Sequence, residues 1–331
     1  MKKTFVPVLC CLAALFAGCA KKEETKSAGL DRSKYAITVL TGPSSGIFYP
    51  IGGAFSAYLS TLGYKSSATA TGATVENINQ MLAGDGEMAI AMSDAVFQAY
   101  NGIEAFKDKP PAKDLRALMG LWPNVVQIVT TADSGIKTFA DLRGRRVGVG
   151  APNSGIEANA RMIYEANGMT YNDSAKVDFL DYGTSIDSIK NGQCDAAFVT
   201  TGLGNATIQE LGVTKKVSFV PVEGEALARL RAKYPFYIEF TIPADAYNSD
   251  RDVTTAAVMN IMIIHKDLPD EVVYDILENL WAPAGLEAIG ASHATAKREI
   301  TWENAIRGVD AIGVPLHDGA IKFYKDKGVL K

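Results

Sequence analysis

The sequence predicts an α/β protein of two β-α lobes, and three observations predict it. Short apolar runs of strand length alternate with segments whose apolar residues recur three and four apart, the spacing of one helix face. The alternation runs through one series and then starts afresh near Phe139. A polar turn joins strand to helix at matching places in both series, Thr41 to Gly53 and Gly150 to Glu157. Repeated β-α units imply a mainly parallel sheet with helices on both faces.

Ile37 to Leu40 opens the first series as a strand, and Ile47, Ile51, Ala54, Phe55, Tyr58, Leu59 and Leu62 mark the helix face behind it. Lys65 to Thr71 is a second, Thr/Ser-rich strand. The helix that follows carries Val75, Ile78, Met81 and Leu82 and stops at Gly84-Asp85-Gly86. Met88 to Met92 is a third strand, running into a helix at Ser93-Asp94. Leu115 to Trp122 and Val125 to Thr131 read as two more strands.

The second series has a short helix at Phe139 to Gly144, a strand at Arg146 to Gly150, and a helix from Glu157 to Asn167 stopped by Gly168. Ser154 with Glu157 is a capping-box pattern. Val177 to Leu180, a helix after Thr184, and Ala196 to Thr201 complete the series. Val217 to Val222 and Phe236 to Ile242 are extended, and Ala256 to Ile264 is a strongly apolar strand. Helices are expected over Val272–Trp281, Leu286–Ala291, Glu299–Ile306 and Ala320–Lys325.

The first series needs the chain to return, and the strand at 256–264 with the late helices is the material for it. The expected organisation is lobe 1 from 34–130 plus 242–331 and lobe 2 from 131–241. The segments near Gln127–Thr131 and Phe236–Pro243 would be the crossings. Ligands of such sheets bind outside the carboxyl ends of the strands. The cleft is then lined by Thr41–Tyr49, Thr71–Thr74, Ser93–Asp94, Gly150–Gly155 and Thr200–Gly204.

Composition narrows the class. The chain has 331 residues, is 47% hydrophobic and 21% charged, and carries a net charge of -4, with no basic cluster of interleaved aromatics. Nucleic acid is therefore not an expected partner. Lys2 and Lys3 precede an apolar core, Phe5 to Phe16, too short to span a bilayer. Leu15-Phe16-Ala17-Gly18-Cys19 resembles the bacterial lipobox, although Phe16 stands where Leu is preferred. The expectation is a signal peptide over 1–18, a diacylglycerol on Cys19 and a flexible tether over 19–33. The other reading is an ordinary secretory signal cleaved elsewhere. The protein is thus expected outside the cytoplasm, anchored to a membrane by lipid. Cys10 and Cys11 leave with the signal, so Cys194 alone remains in the folded part, as a core thiol.

The polar turns admit three kinds of chemistry. Gly42-Pro43-Ser44-Ser45-Gly46 spells Gly-x-Ser-x-Gly, the nucleophile elbow of α/β hydrolases. It follows the first strand of the mature chain, however, and no histidine precedes His265, so a hydrolase through Ser44 is the least favoured reading. His265, His293, His317 and one cysteine make no metal-ligand spacing. Asn153 stands where a dinucleotide fingerprint beginning at Gly148 needs glycine, so no cofactor is expected. Anion or zwitterion capture remains. The turn at Ser154 offers backbone N–H groups at a helix start, which also makes it a plain helix cap. The five loops contain neither Lys nor Arg, so a carboxylate would rest on N–H groups and hydroxyls.

These residues resemble a known family. Thr41-Gly42 with Phe48-Tyr49-Pro50-Ile51-Gly52-Gly53, Ala70 to Asn77, Ser93 to Tyr100, Asp133 to Leu142, Gly148 to Ala160, Tyr234 to Tyr237 and Ile242-Pro243 are similar to the TAXI solute-binding proteins of TRAP (tripartite ATP-independent periplasmic) transporters. The resemblance runs from about residue 36 to the C-terminus. It implies a type II periplasmic-binding-protein fold, with two β-α lobes joined by a two-segment hinge and the ligand cleft between them. It also implies a non-enzymatic role: capture of glutamate, glutamine or a dicarboxylate such as 2-oxoglutarate, and delivery to an ion-gradient-driven TRAP permease. Ile156 departs from the family's common Thr and removes a hydroxyl, and Pro43-Ser44-Ser45 replaces Gly-rich variants. The ligand residues expected are Ser44, Ser45, Tyr49, Thr71, Asn77, Ser93, Gln127, Ser154, Gly155, Ile156, Thr200 and Thr201. Gly155 and Ile156 would act through their backbone, and Gln127 is included as a lone amide in an apolar strand. An ABC importer, or a ligand-sensing receptor subunit, is the alternative use of the same fold.

Overall fold

A computed structural model describes residues 29–331 except Ser45, Asn153, Asp310 and Ala311. The expected signal peptide, Cys19 and most of the tether lie outside the described residues.

Strand-helix alternation appears where the apolar spacing places it. In chain order the elements begin β1 (Ala36–Leu40), α1 (Phe48–Thr61), β2 (Lys65–Thr69), α2 (Thr74–Ala83), β3 (Met88–Met92), α3 (Ser93–Asn101) and β4 (Leu115–Thr131). The second series is β5 (Arg146–Gly148), α4 (Gly155–Ala166), β6 (Lys176–Asp178), α5 (Tyr182–Lys190), β7 (Ala196–Thr201), α6 (Ala206–Thr214), β8 (Val217–Val220), α7 (Gly224–Lys233) and β9 (Tyr237–Ile242). The chain returns in β10 (Val253–His265) and finishes with α8 (Asp270–Leu280), α9 (Pro283–Gly290), α10 (Ala294–Glu299) and α11 (Asp318–Asp326).

All strands join one ten-stranded sheet in the order β2-β1-β3-β10-β4-β7-β5-β6, with β8 also on β4 and β9 also on β10. The sheet is mixed, not mainly parallel. β2-β1-β3 and β6-β5-β7 are parallel groups, and the antiparallel ribbon β10-β4 joins them. Residues 32–331 form one compact unit. Helix faces bury the apolar residues read from the sequence, including Ile51, Phe55 and Leu59 of α1 and Ile78 and Met81 of α2. In the second group, Arg146 clasps Asp195: the Arg146 N–H donates to Oδ2 at 2.8 Å and Nη2 to Oδ1 at 2.6 Å. That holds β5 beside β7 and keeps the Asp195 carboxyl below the ordinary carboxylate range. Cys194 is a buried thiol, as its apolar neighbours suggest.

Three local expectations need correction. Leu115–Trp122 and Val125–Thr131 form a single 17-residue strand. Pro123 is accommodated because β10 lies opposite it while pairing with β7 begins only at Val125, so its missing N–H falls where one side of β4 is unpaired. The helix expected over Glu299–Ile306 ends at Glu299, and a 3-10 turn covers Trp302–Asn304. Extended Thr301 (φ -127°, ψ 160°) breaks it, and the segment becomes a strap over β4, with Gly120 N–H donating to Ala305 O at 2.8 Å. Gly120 is required there, since a Cβ would lie 2.8 Å from the carbonyl oxygens of Asn304 and Arg307. Finally, the Ser154–Glu157 box is half made. Ser154 Oγ accepts the Glu157 N–H at 3.2 Å, but the Glu157 carboxylate turns to the Tyr171 hydroxyl at 3.0 Å.

Candidate functional site

The carboxyl ends of β3 and β7 arrive at the middle of the β10-β4 ribbon from opposite sides. Met92 pairs with Asn260, while Thr200 and Thr201 pair with Val126 and Val125. The floor between them is therefore Trp122–Gln127 of β4 and Thr255–Asn260 of β10. The starts of α1, α2, α3 and α4 follow strand ends on the same edge of the sheet.

On the β1-β2-β3 side the polar side chains bond to the protein itself. Asn77 is fully buried and donates from Nδ2 to Thr41 O at 2.6 Å and to Ile90 O at 2.7 Å. Its Oδ1 accepts the Thr71 hydroxyl at 2.5 Å. One amide thus ties together the segments leaving β1 and β2 with the end of β3. Ser93, also fully buried, accepts the Met259 N–H at 3.1 Å and fastens the start of α3 to β10. Ala73 sits between them at φ 73° and ψ -152°, a conformation that favours glycine and marks a loop under backbone strain. Ser44 and Tyr49 are exposed, and Ser45 lies outside the described residues. Phe48 packs edge-on against Trp122 of the floor, ring centroids 5.5 Å apart.

The β5-β7 side is less bonded. Ser154 makes only the cap to Glu157, and Gly155 has open space where a side chain would stand. Gly150, at φ 98°, lets the start of α4 approach, because a Cβ would meet Glu157 N and Ile156 Cβ at 2.8 Å. Ile156 is half-buried against the core. Gln127 is fully buried and donates from Nε2 to Thr201 O at 3.2 Å, but its Oε1 has no partner. Thr200 Oγ1, buried at the end of β7, has none either, and Thr201 is half-buried.

Two residues at this edge escaped the sequence reading as ligand residues. Asn260 is a buried amide in the apolar strand β10, with Nδ2 on Trp122 O at 3.1 Å and Oδ1 unpartnered. The rule that singled out Gln127, an amide inside an apolar run, would have found it. Asp94, the second residue of α3, is a buried carboxyl that burial pushes up to about 6. The rim is partly apolar. Tyr49, Val75, Phe179 and Leu180 are exposed at the strand-to-helix junctions.

Other hollows lie elsewhere. One of about 330 Å³ beside Arg161 and Tyr171, and one of about 460 Å³ beside Asn79 and Lys109, touch none of the expected ligand residues. Among the described residues the histidines are engaged away from Ser44. His293 and His317 accept the Thr295 and Gly319 N–H groups at helix starts, and His265 accepts the Asp267 N–H. No helix among the described residues is long and apolar enough to cross a membrane.

The model of the NMT1-like family matches residues 39–328, nearly the whole of both series. The chain belongs to the NMT1-like family. Solved structures similar to this NMT1-like chain include a TctC solute-binding protein from Polaromonas, with a TM-score of 0.51 at 15% identity over 89% of this chain and 99% of that one. A putative periplasmic sulfonate-binding protein SsuA of a sulfonate ABC transporter, from Methylobacillus flagellatus KT, has a TM-score of 0.51 at 11% identity over 89% and 88%. XAC2383 from Xanthomonas citri, solved bound to ATP, has 0.51 at 10% over 89% and 96%. At these identities the likeness is one of fold. The NMT1-like chain has the periplasmic solute-binding-protein fold, not an enzyme fold of the α/β-hydrolase kind.

Proposed function

We propose that the chain is an extracytoplasmic solute-binding protein of TAXI type that captures a small carboxylate and hands it to an ion-gradient-driven TRAP permease. The observation that carries this reading is the meeting of polar helix starts and strand ends over one ribbon. Three buried polar atoms with no partner of their own stand on that ribbon and beside it: Thr200 Oγ1, a hydroxyl that donates to a carboxylate, and the amide oxygens Gln127 Oε1 and Asn260 Oδ1, which accept a ligand's N–H or O–H. Backbone N–H groups at the starts of α1 and α4 suit an anion. The two lobes are the segments 34–130 plus 242–331 and 131–241, and the β10-β4 ribbon flexes between them. Ligand contacts shared by both lobes favour the closed form, and only that differential affinity shifts the population. The permease then reads the closed form, and a lipid on Cys19 keeps the protein at the membrane.

Glutamate, glutamine and dicarboxylates such as 2-oxoglutarate are the ligands to screen first, because a ligand that binds the folded form raises its melting temperature by mass action. Alanine at Ser44, Ser45 and Ser154 together weakens binding roughly tenfold or more, at about 1 kcal/mol per hydrogen bond. Unchanged affinity of that triple variant by calorimetry overturns the assignment of these loops. The sulfonate ABC transporter protein among the similar folds makes an ABC importer the second reading. A neighbouring gene for a fused TRAP permease, rather than an ATPase, decides between them.

A further inference from the structure

A carboxylate lies buried at the start of α3 beside the start of α2, and no cation among the described residues offsets its charge. Asp94 is 7% exposed. One of its oxygens accepts the Ala95 N–H at 2.8 Å, and its own amide also donates to it. Among the described residues no Lys, Arg or His pairs with it. A helix start offsets part of a negative charge, yet burial prevails and the carboxyl is pushed up to about 6. A group in this state is stabilised by a cation brought to it.

The neighbours of Asp94 belong to both series. Met92 N–H donates to Thr74 Oγ1 at 3.3 Å, which sets the start of α2 beside the start of α3. In the second series, Tyr237 of β9 feels the Asp94 charge. The Tyr237 hydroxyl donates to Asn159 Oδ1 of α4, and Asn159 Nδ2 donates to Gly155 O, the first residue of that helix, at 2.6 Å. Tyr234 and Arg161 also act on Tyr237. Arg161 is half exposed and loosely paired with Glu157 at 3.7 Å and Glu104 at 3.9 Å. Asp94 therefore stands at the start of α3 beside the start of α2, on the edge where the ligand residues gather, and Tyr237, which is bonded to α4, feels its charge.

We propose that Asp94 receives the ammonium group of an α-amino acid whose carboxylate is held by the N–H groups of the helix starts. This rests on the solute-binding reading above and narrows its ligand from small carboxylates to amino acids. A 2-oxo acid sets an acceptor oxygen against the Asp94 carboxylate, which has no hydrogen to give when ionised. An ammonium brings three donors and the missing charge. The five loops supply neither Lys nor Arg for the second charge of a dicarboxylate, so nothing there compensates for losing the ammonium.

Matched pairs that differ only at this group test the proposal: L-glutamate against 2-oxoglutarate, L-leucine against 4-methyl-2-oxopentanoate, and L-alanine against pyruvate. The expected result is that the amino member of at least one pair binds ten times more tightly or better, and that Asp94→Asn removes this preference by weakening the amino member about tenfold or more and relieving the repulsion of the oxo member. Independently of any variant, calorimetry of the wild-type protein at pH 5.5 in two buffers of different ionisation enthalpy reads proton release. Release on amino-acid binding that disappears by pH 7.5 supports the pairing, since Asp94 must ionise to accept the ammonium. Equal or tighter binding of the oxo members, a preference unchanged in Asp94→Asn, or amino-acid binding without proton release at pH 5.5 overturns it and leaves the solute-binding reading intact. Binding of no member of any pair overturns both.

Discussion

At the carboxyl ends of β1, β2 and β3 the polar side chains bond to the protein itself, whereas at the ends of β5 and β7 they are largely left without internal partners. Asn77, Thr71 and Ser93 are buried and fully engaged with backbone or with each other. Ser154 makes one cap, Gly155 faces open space, and Thr200 Oγ1 and Gln127 Oε1 have no partner. Residues of the same chemical kind at equivalent places thus do different work. The first group shapes a rigid wall, and the second holds hydroxyl and amide groups ready for something else. In the first group the candidates left with open side chains are Ser44 and Tyr49.

Replacing Asn77 by Ala is expected to give the largest effect, because it removes two buried hydrogen bonds to backbone carbonyls and the acceptor of the Thr71 hydroxyl at once. A loss of about 3 kcal/mol by urea unfolding is expected. A loss below about 0.5 kcal/mol, the range of ordinary surface changes, would break the contrast.

A second effect comes from Asp94 and depends on pH. Its folded-state value of about 6 lies above the ordinary carboxyl value, so protonation favours the folded form. That stability is fully present below about pH 4 and is lost as pH rises through about 6. Asp94→Asn should therefore raise the melting temperature of the unliganded protein at pH 7 relative to wild type and leave it nearly level at pH 4. Parallel curves for the two proteins would show that the carboxyl is better solvated than its burial implies.

Ser154→Ala removes one cap and should cost about 1 kcal/mol, with Ser154→Asp restoring stability because aspartate caps equally well. If Ser154 also meets an anionic group, Ser154→Asp restores stability without restoring binding, which separates the two roles. Thr200→Val carries the smallest stability effect. Removing an unpartnered buried hydroxyl should leave the fold within about 0.5 kcal/mol or stabilise it slightly, yet weaken ligand affinity measured by calorimetry. Clear destabilisation would mean that Thr200 is bonded within the protein after all.

The β-α order was legible in the sequence, because each helix face and strand run obeys its own period, and residues 37–40, 88–92 and 256–264 appear as strands. The direction of the middle strands was not. Periodicity tells which residues are buried and not which neighbour they face, so β4 and β10 entered as material for a parallel sheet. Pro123 interrupts no ladder, because its missing N–H falls where one side of β4 is unpaired. Glu157 fits the capping-box pattern, but Tyr171 takes its carboxylate, and that partner is distant in sequence. In the candidate site the hydroxyl-bearing loops were found by composition. Their division into bonded and unbonded sets depends on partners such as Met259 and Ile90 that no local pattern reveals.

The place of β10 in the sheet also fixes when the molecule can finish folding. β3 ends at Met92 and β4 begins at Leu115, but the strand that must lie between them starts only at Val253. Until residues 253–265 arrive, β3 and β4 each present a bare edge, and the helices after Asp270 have no completed sheet to cover. Closing so long a loop before any reward from pairing makes assembly slow. A chain synthesised from its N-terminus therefore stays open and unlocked until about four-fifths of it has been made, and a truncation before Val253 leaves two half-sheets prone to stick to each other or to a second copy.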